Sequence, residues 1–189
     1  HRRRVHNALR YAQQYNGSVL DYGCGAGAFI SALAAQRASR RIYGYEPFMS
    51  DDYRATATYS GPPVYKEWSQ VAECAPFGLV TLWETIEHLY PAELDEFLER
   101  CQQVLAPNHG RVLISAPIEI GPAVLVKTAY RWMAGCYEPL TLSELLRAGL
   151  FGVPSSPAAS CKWSHKGFDF RRTIEALQMK NWEVKILGY

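Results

Sequence analysis

Three glycines spaced two residues apart follow a short apolar segment near the start of the sequence. The segment occupies positions 19–22, and Gly23, Gly25 and Gly27 come next in the run VLDYGCGAGAF. Because glycine lacks a Cβ, this spacing favours a tight turn whose backbone approaches another group closely. The change from strand-forming residues to glycines therefore predicts a ligand-binding turn between a strand and a helix.

Two acidic residues accompany this turn. Asp21 lies at the end of the first predicted strand, and Glu46 follows the second. Gly23, Gly25 and Ala28 satisfy the dinucleotide pattern G-x-G-x-x-A, in which an acidic residue after the second strand accepts hydrogen bonds from ribose hydroxyls. A nicotinamide-dependent oxidoreductase is therefore one hypothesis.

Asp21 favours a different ligand, since a carboxylate at the strand end would share one small site with an anionic pyrophosphate. A cationic ligand suits this position better. S-adenosylmethionine carries both an ammonium and a sulfonium group, and its ribose could bind Glu46. The second hypothesis is accordingly an S-adenosylmethionine-binding protein.

The elements that must position these residues alternate between strand and helix. The predicted helices span residues 5–15, 28–36, 50–59, 91–105 and 170–180, and the predicted strands span residues 19–22, 41–45, 64–65, 79–83, 111–115 and 183–187. Such alternation predicts a doubly wound, Rossmann-like and mostly parallel α/β sheet with helices on both faces.

Residues 117–164 depart from this alternation. The segment is rich in proline, glycine and aromatic residues, and it is longer than a connection requires. We interpret it as a lid or substrate-facing insertion within a single domain spanning 1–189; a helical hairpin covering one sheet edge is the alternative. Its piece PAVLVKTAYRWMAG also suits a membrane surface, although it contains few cations.

Composition narrows the class of protein. The 189 residues are 48% hydrophobic with a net charge of +2, which fits one globular domain and does not indicate a nucleic-acid partner. No apolar run reaches the roughly 20 residues of a membrane span, and no signal peptide is evident, so we expect a cytoplasmic protein. The five cysteines lack C-x-x-C spacing, which predicts reduced thiols and no structural metal.

Two motifs carry a resemblance to a known family. The run DYGCGAG at 21–27 resembles the motif D-x-G-C-G-x-G of class I S-adenosylmethionine-dependent methyltransferases. The run FGLVTLWETIEHL at 77–89 is similar to the F-D-x-V and E-H-L segment of the subgroup that includes the ubiquinone-biosynthesis methyltransferases, with Gly78 in place of aspartate. The family fold has a seventh strand that would follow Tyr189, so we expect the sequence to be a piece of a longer chain.

The resemblance implies S-adenosyl-L-methionine as cofactor and a set of site residues. Glu67 is the candidate acidic residue near the adenine, with Trp68 beside it as a candidate stacking partner. The candidate catalytic bases are His88, for which the resemblance implies a place near the site, and His165, which is chosen because it lies where the insertion meets the last predicted helix. The alternative for His88 is a structural histidine that anchors its loop. The implied cofactor-binding residues are Asp21, Gly23, Cys24, Gly25, Gly27, Glu46, Pro47, Glu67, Trp68, Trp83 and Glu84.

The sequence thus predicts a methyltransferase that acts on a small-molecule or saccharide-like acceptor, with O-methylation favoured. A nicotinamide-dependent oxidoreductase remains an alternative, as does a catalytically silent cofactor-binding scaffold. The glycine turn and Glu46 argue against a loss of binding, but they do not address a loss of chemistry.

Overall fold

The structure, a computed structural model, describes residues 2–36, 41–49, 61–135, 140–155 and 167–187. Strands and helices alternate in the first part of the chain. In chain order, the helices are α1 (Arg2–Ala12), α2 (Ala28–Gln36), α3 (Trp68–Ala72), α4 (Pro91–Val104), α5 (Pro122–Met133), α6 (Leu142–Phe151) and α7 (Phe170–Met179), and the strands are β1 (Val19–Tyr22), β2 (Ile42–Tyr45), β3 (Val64–Tyr65), β4 (Leu79–Leu82) and β5 (Arg111–Ile114).

The strands of the described residues form one parallel sheet in the order β3-β2-β1-β4-β5. Because β2 and β4 flank β1 on opposite sides, the strand order reverses at β1. Asp21 of β1 is level with Gly44 of β2 and with Thr81 of β4. Open α/β sheets bind ligands outside the carboxyl ends of the strands at such a reversal. The predicted fold class is therefore confirmed, and β1 carries Asp21 to the expected edge.

An aliphatic core lies between α1, α2 and one face of the sheet. The apolar residues of α1, which include Val5 and Leu9, recur at helical spacing, so that one side of the helix is apolar. The buried members of this core are Ala8, Leu9, Ala12, Val19, Phe29, Ile30, Leu33, Ile42 and Leu79. This packing fixes the rotation of α1 relative to the sheet.

The opposite face carries aromatic side chains. The rings of Tyr22 and Tyr45, the last residues of β1 and β2, have centroids 4.9 Å apart. Trp68 of α3 meets the Tyr45 ring edge-on at 5.3 Å, and Phe97 of α4 meets the Tyr22 ring at 4.9 Å. Because side chains alternate along a strand, Asp21 and Tyr22 project from opposite faces. The two faces of the sheet therefore differ in chemistry.

The chain divides into two compact units, residues 1–115 and residues 116–189. In the second unit, α5 and α6 pack together through a small apolar cluster of Val124, Leu145 and Ala148. The segment predicted as an insertion thus contains a pair of packed helices.

Capping residues set the starts of two helices in the second unit. The Thr141 hydroxyl accepts a hydrogen bond from the Glu144 N–H at 3.2 Å, and the Glu144 carboxylate accepts one from the Thr141 N–H at 2.9 Å. The predicted N-cap of the last helix is confirmed, since Asp169 accepts a hydrogen bond from the Arg171 N–H at 3.1 Å.

The large apolar side chains exposed on α5 and α6 are Val126, Tyr130, Trp132, Met133, Leu142, Leu146, Leu150 and Phe151.

Some predicted elements differ from the structure. The strand predicted at 183–187 is wrong: no β-ladder includes these residues, and Ile186 is exposed. Alternating apolar residues form a strand only where a neighbouring backbone supplies the ladder hydrogen bonds. The helix predicted at 50–59 lies outside the described residues. Among the helices that the structure describes, none has the length and apolar character needed to cross a bilayer.

Gly78, the departure from the family motif, has a steric explanation. A Cβ at this position would lie 2.0 Å from the carbonyl oxygen of Asn16. The backbone that leads into β1 therefore occupies the space that an aspartate side chain would need. Glycine at this position allows the two segments to pass closely.

Candidate active site

A buried carboxylate lies at the reversal point of the sheet. Asp21 is 1% exposed, and its Oδ1 accepts a hydrogen bond of 2.6 Å from the hydroxyl of Thr81 on β4. Burial raises the pKa of Asp21 to about 7; the Thr81 hydrogen bond opposes this rise, and the nearby charge of Glu46 adds to it. A carboxylate in this environment has a strong affinity for a cation, because a cation compensates its desolvation.

The glycine turn is attached to the end of β2 by its own N–H groups. Gly23 and Cys24 both donate to the carbonyl oxygen of Tyr45, at 2.8 and 3.2 Å. Gly25 donates to the Glu46 carboxylate at 2.9 Å, and Gly27 donates to the carbonyl of Cys24 at 2.9 Å. These four N–H groups therefore have partners inside the protein and do not form a nest for a free anion.

Gly23 is required by both its backbone conformation and its surroundings. Its φ of +72° lies in the left-handed region, and a Cβ would lie 2.6 Å from the Thr85 side chain. The Thr85 hydroxyl contacts the carbonyl oxygens of Gly23 and Trp83, at 3.2 and 2.9 Å. Thr85 thus connects the glycine turn to the loop after β4, with no space for a larger residue at position 23.

Glu46 is a half-buried carboxylate on the other side of the turn. One of its oxygens accepts the Gly25 N–H, and the other accepts the N–H of Phe48 at 3.1 Å. Each carboxylate oxygen can accept a further hydrogen bond. Glu46 can therefore fix the turn and still bind the two hydroxyls of a ribose.

A cavity of about 530 Å³ opens over the glycine turn. Its volume falls in the usual range of small-molecule sites, about 300–1,000 Å³. Its walls come from α1, β1, the glycine turn, the start of α2 and the loop after β4. The lining residues are Val5, His6, Leu9, Asp21, Gly23, Cys24, Ala26, Ala28, Phe29, Trp83 and Glu84.

The loop after β4 contributes one aromatic and one acidic wall of this cavity. Trp83 stacks on Phe29 with ring centroids 5.4 Å apart and an interplanar angle of 11°. Glu84 has a φ of +52°, a conformation that few residues other than glycine adopt, and its carboxylate accepts a hydrogen bond from the Ser115 hydroxyl at 3.0 Å. Local strain of this kind is common at functional sites.

Arg100 of α4 braces the site from the opposite face of the sheet. Its guanidinium donates to the hydroxyls of Tyr22 at 3.0 Å and Tyr45 at 2.9 Å, and it pairs with Glu96 at 2.5 Å. It also lies 4.9 Å from the ring centre of Trp68, within the range of a cation–π interaction. One cation thereby holds together the ends of β1 and β2, from which the glycine turn and Glu46 continue.

The structure brings most of the predicted cofactor residues to one place. Asp21, Gly23, Cys24, Trp83 and Glu84 line the cavity. Gly25, Gly27 and Glu46 belong to the hydrogen-bonded turn beside it, and Pro47 directly follows Glu46. Burial raises the pKa of the Cys24 thiol, so this residue is a packed neutral group.

Other predicted residues lie apart from the cavity lining. Glu67 is exposed at the start of α3, and Trp68 packs against Tyr45 on the opposite face of the sheet. His88 ends the short 3₁₀ helix Ile86–His88, and His165 lies outside the described residues. No group of three metal-binding side chains is present among the described residues.

Sequence reasoning missed several contributors to the site. Thr81 and Arg100 carry no motif, and their roles depend on strand register and on the packing of α4. Val5 and His6 of α1 line the cavity although they precede the glycine turn by many residues. The apolar periodicity of α1 identifies its packed side, but it does not indicate that the edge of that side reaches a cavity.

Comparison with known proteins establishes the family. Residues 2–138 match the family described as a methyltransferase domain. The chain therefore belongs to this family. No curated protein matches the sequence.

Solved structures share the fold at low sequence identity. An S-adenosylmethionine-dependent methyltransferase from Archaeoglobus fulgidus is 21% identical, with a TM-score of 0.51 over 77% of this chain and 65% of that chain. The plantazolicin methyltransferase BpumL, solved with a pentazolic desmethylPZN analogue and SAH, is 12% identical, with a TM-score of 0.57 over 92% of this chain and 59% of that chain. The present chain thus spans less than two thirds of the length of either neighbour.

Proposed function

We propose that this domain transfers a methyl group from S-adenosylmethionine to a hydroxyl group of a small-molecule or saccharide-like acceptor. Membership of the methyltransferase-domain family supports the reaction class. The observation that carries the proposal is Asp21, a buried carboxylate that faces a cavity of about 530 Å³. A buried carboxylate on a cavity wall is stabilised by a ligand with an ammonium group.

The residues present fit the two polar parts of this cofactor. Asp21 would hold the ammonium group of the methionine part, and Glu46 would hold the ribose hydroxyls with the lone pairs that Gly25 and Phe48 leave free. The apolar pair Trp83 and Phe29 would contact the remaining surface. When bound, S-adenosylmethionine supplies an electrophilic methyl group and leaves as a neutral thioether.

The hydrogen bonds of the glycine turn argue against the nicotinamide alternative. A dinucleotide places its pyrophosphate on free N–H groups of such a turn. Here Gly23, Cys24, Gly25 and Gly27 all donate to groups of the protein. A pyrophosphate would also lie near the carboxylates of Asp21 and Glu46, which would repel it.

The protein's contribution to methyl transfer is alignment and exclusion of water, since the reaction is an in-line displacement. The loop after β4 would place His88 and Glu84 near the acceptor. We retain His88 and His165 as candidate bases, although His165 lies outside the described residues. The E-H-L run at 87–89 supports the finer proposal of a relative of the ubiquinone-biosynthesis subgroup.

We further propose that the segment 117–164 faces the acceptor. The exposed apolar and aromatic side chains of α5 and α6, such as Tyr130 and Phe151, support a role in covering an acceptor with apolar parts. The free thiols of Cys24 and Cys74 support a reducing, cytoplasmic compartment.

Calorimetric titration at pH 8 with S-adenosylmethionine, S-adenosylhomocysteine and NAD tests the cofactor. We expect both adenosyl ligands to bind and NAD not to bind. Asp21→Asn should weaken the binding of both adenosyl ligands about 100-fold, because it removes one partner of a buried ion pair. Glu99→Gln, a change at an exposed carboxylate on α4, is the matched control and should leave binding unchanged.

The same titration separates the alternatives. Binding of NAD alone would contradict the proposal and support an oxidoreductase. Incubation with a methyl-labelled donor and an extract of cellular small molecules then addresses catalysis. Binding without transfer of label would favour the silent cofactor-binding scaffold.

A further inference from the structure

His6 of α1 is a candidate base for the proposed reaction. Among the described histidines, it is the one that lines the cavity, together with Asp21, Trp83 and Glu84. The neighbouring Val5 packs against the aliphatic core, and Leu9 is buried in it, so the rotation of α1 fixes His6 at the edge of that core. His6 itself is exposed. The imidazole of His6 is therefore open to solvent and also borders the cavity.

Three other titratable groups line the cavity, namely those of Asp21, Cys24 and Glu84. Asp21 is buried and accepts the Thr81 hydrogen bond, and Glu84 accepts one from Ser115. Cys24 is a buried thiol whose pKa is raised by burial. Histidine changes its charge near neutral pH, which suits a group that takes up a proton during turnover.

We propose that His6 is a catalytic residue, an alternative to the candidate bases His88 and His165, that stands at the methyl-donor end of the cavity and takes the proton of the acceptor hydroxyl. The inference rests on the proposed function. The hydroxyl oxygen forms the new bond to the methyl carbon, and the carbon–sulfur bonding pair stays on sulfur. The hydroxyl proton passes to a ring nitrogen of His6, which later releases it to solvent.

The location of His6 can be tested without an identified acceptor. S-adenosylmethionine carries a positive sulfonium, whereas S-adenosylhomocysteine has a neutral sulfur in its place. Protonated His6 repels the first ligand and not the second, so the ratio of their dissociation constants reports on the distance between His6 and sulfur. Asp21 and Glu84 also line the cavity, and Arg10 lies one helical turn from His6. Because burial raises the pKa of Asp21 to about 7, Asp21 also changes charge between pH 8 and pH 5.5, so the contribution of His6 is the part of the pH dependence that is lost in H6N.

Calorimetry at pH 8 and pH 5.5 measures this ratio. For the wild type, the ratio of Kd for S-adenosylmethionine to Kd for S-adenosylhomocysteine should rise about threefold at the lower pH. In H6N the ratio should rise less than in the wild type, and H109N, a change in the exposed turn before β5, should behave as the wild type. A constant wild-type ratio, or the same rise in H6N, would overturn the placement of His6.

The catalytic role has a separate readout. With a methyl-labelled donor and an extract of cellular small molecules, H6N should transfer label about 10²- to 10⁴-fold more slowly than the wild type. Its affinity for S-adenosylhomocysteine at pH 8 should be unchanged. Equal transfer rates would overturn the role as a base. Failure of both ligands to bind the wild type would instead contradict the proposed function.

Discussion

Asp21 and Glu46 lie at the carboxyl ends of neighbouring strands of one sheet, yet their surroundings differ. Asp21 is buried, receives a single side-chain hydrogen bond from Thr81, and has a pKa raised to about 7. Glu46 is half-buried and accepts backbone N–H groups on both oxygens. Backbone N–H groups therefore stabilise the charge of Glu46, whereas no backbone hydrogen bond to Asp21 is described and we propose that a ligand stabilises its charge. In this site the less stabilised group is the one assigned to the ligand's charge.

The largest expected difference between the two carboxylates concerns stability. The pKa of Asp21 in the folded protein, about 7, exceeds its value of 3.8 in the unfolded chain. Its contribution to stability is therefore fully present below pH 3.8 and is lost as the pH rises through about 7. Asp21→Asn should raise the free energy of unfolding of the ligand-free protein at pH 8 by about 2–4 kcal/mol relative to the wild type.

Chemical denaturation at pH 4 and pH 8 measures this effect. The advantage of Asp21→Asn should shrink towards pH 4, where the wild-type carboxyl is also neutral. Glu46→Gln is the comparison, and it should bring no such gain. A stability difference for Asp21→Asn that is the same at both pH values would show that burial does not hold Asp21 in its neutral form.

A smaller effect separates the ligand groups that the two carboxylates bind. Glu46→Gln should weaken the binding of S-adenosylhomocysteine about tenfold, because it converts a charged acceptor of hydrogen bonds into a neutral one. The same substitution should weaken the binding of methylthioadenosine, which has the ribose but no amino acid part, to the same extent. Asp21→Asn should leave methylthioadenosine unaffected. Calorimetry with both ligands checks the assignment, and equal losses in Asp21→Asn would contradict it.

The smallest expected effect concerns the hydrogen bond from Thr81 to Asp21. Its hydroxyl lowers the pKa of Asp21, so Thr81→Val should raise that pKa above about 7. Near pH 7 the variant should bind S-adenosylhomocysteine about threefold more weakly than the wild type, because less of Asp21 is charged. The two affinity curves should converge at higher pH. Parallel curves from pH 6 to pH 9 would instead indicate a packing defect.

The sequence predicts the part of the fold that depends on local chemistry. The segment around Asp21 and Gly23 carries its own strand and turn signals, and the alternation of elements after it predicts the parallel sheet. The sequence also predicts the site residues that belong to these motifs. The wrong strand at 183–187 has the apolar alternation of a strand, but pairing depends on a neighbouring backbone that no local pattern specifies.

The remaining site features depend on tertiary geometry. The contact between Thr81 and Asp21 requires the register of β4 against β1, which spans sixty residues of sequence separation. His6 reaches the cavity because α1 packs against the sheet with one particular rotation. Trp68, expected beside the adenine, packs against Tyr45 and Arg100. Residue type and local spacing contain none of this information.

The brace that Arg100 forms lies apart from the cavity, so substitutions in these two places have different effects. Its partners Tyr22 and Tyr45 project from the face of the sheet opposite the cavity. Substitutions in the cavity wall that α1 provides can therefore change the shape offered to an acceptor without disturbing this brace. A chain built in this way can change its acceptor while the strand ends that we assign to the methyl donor stay in place.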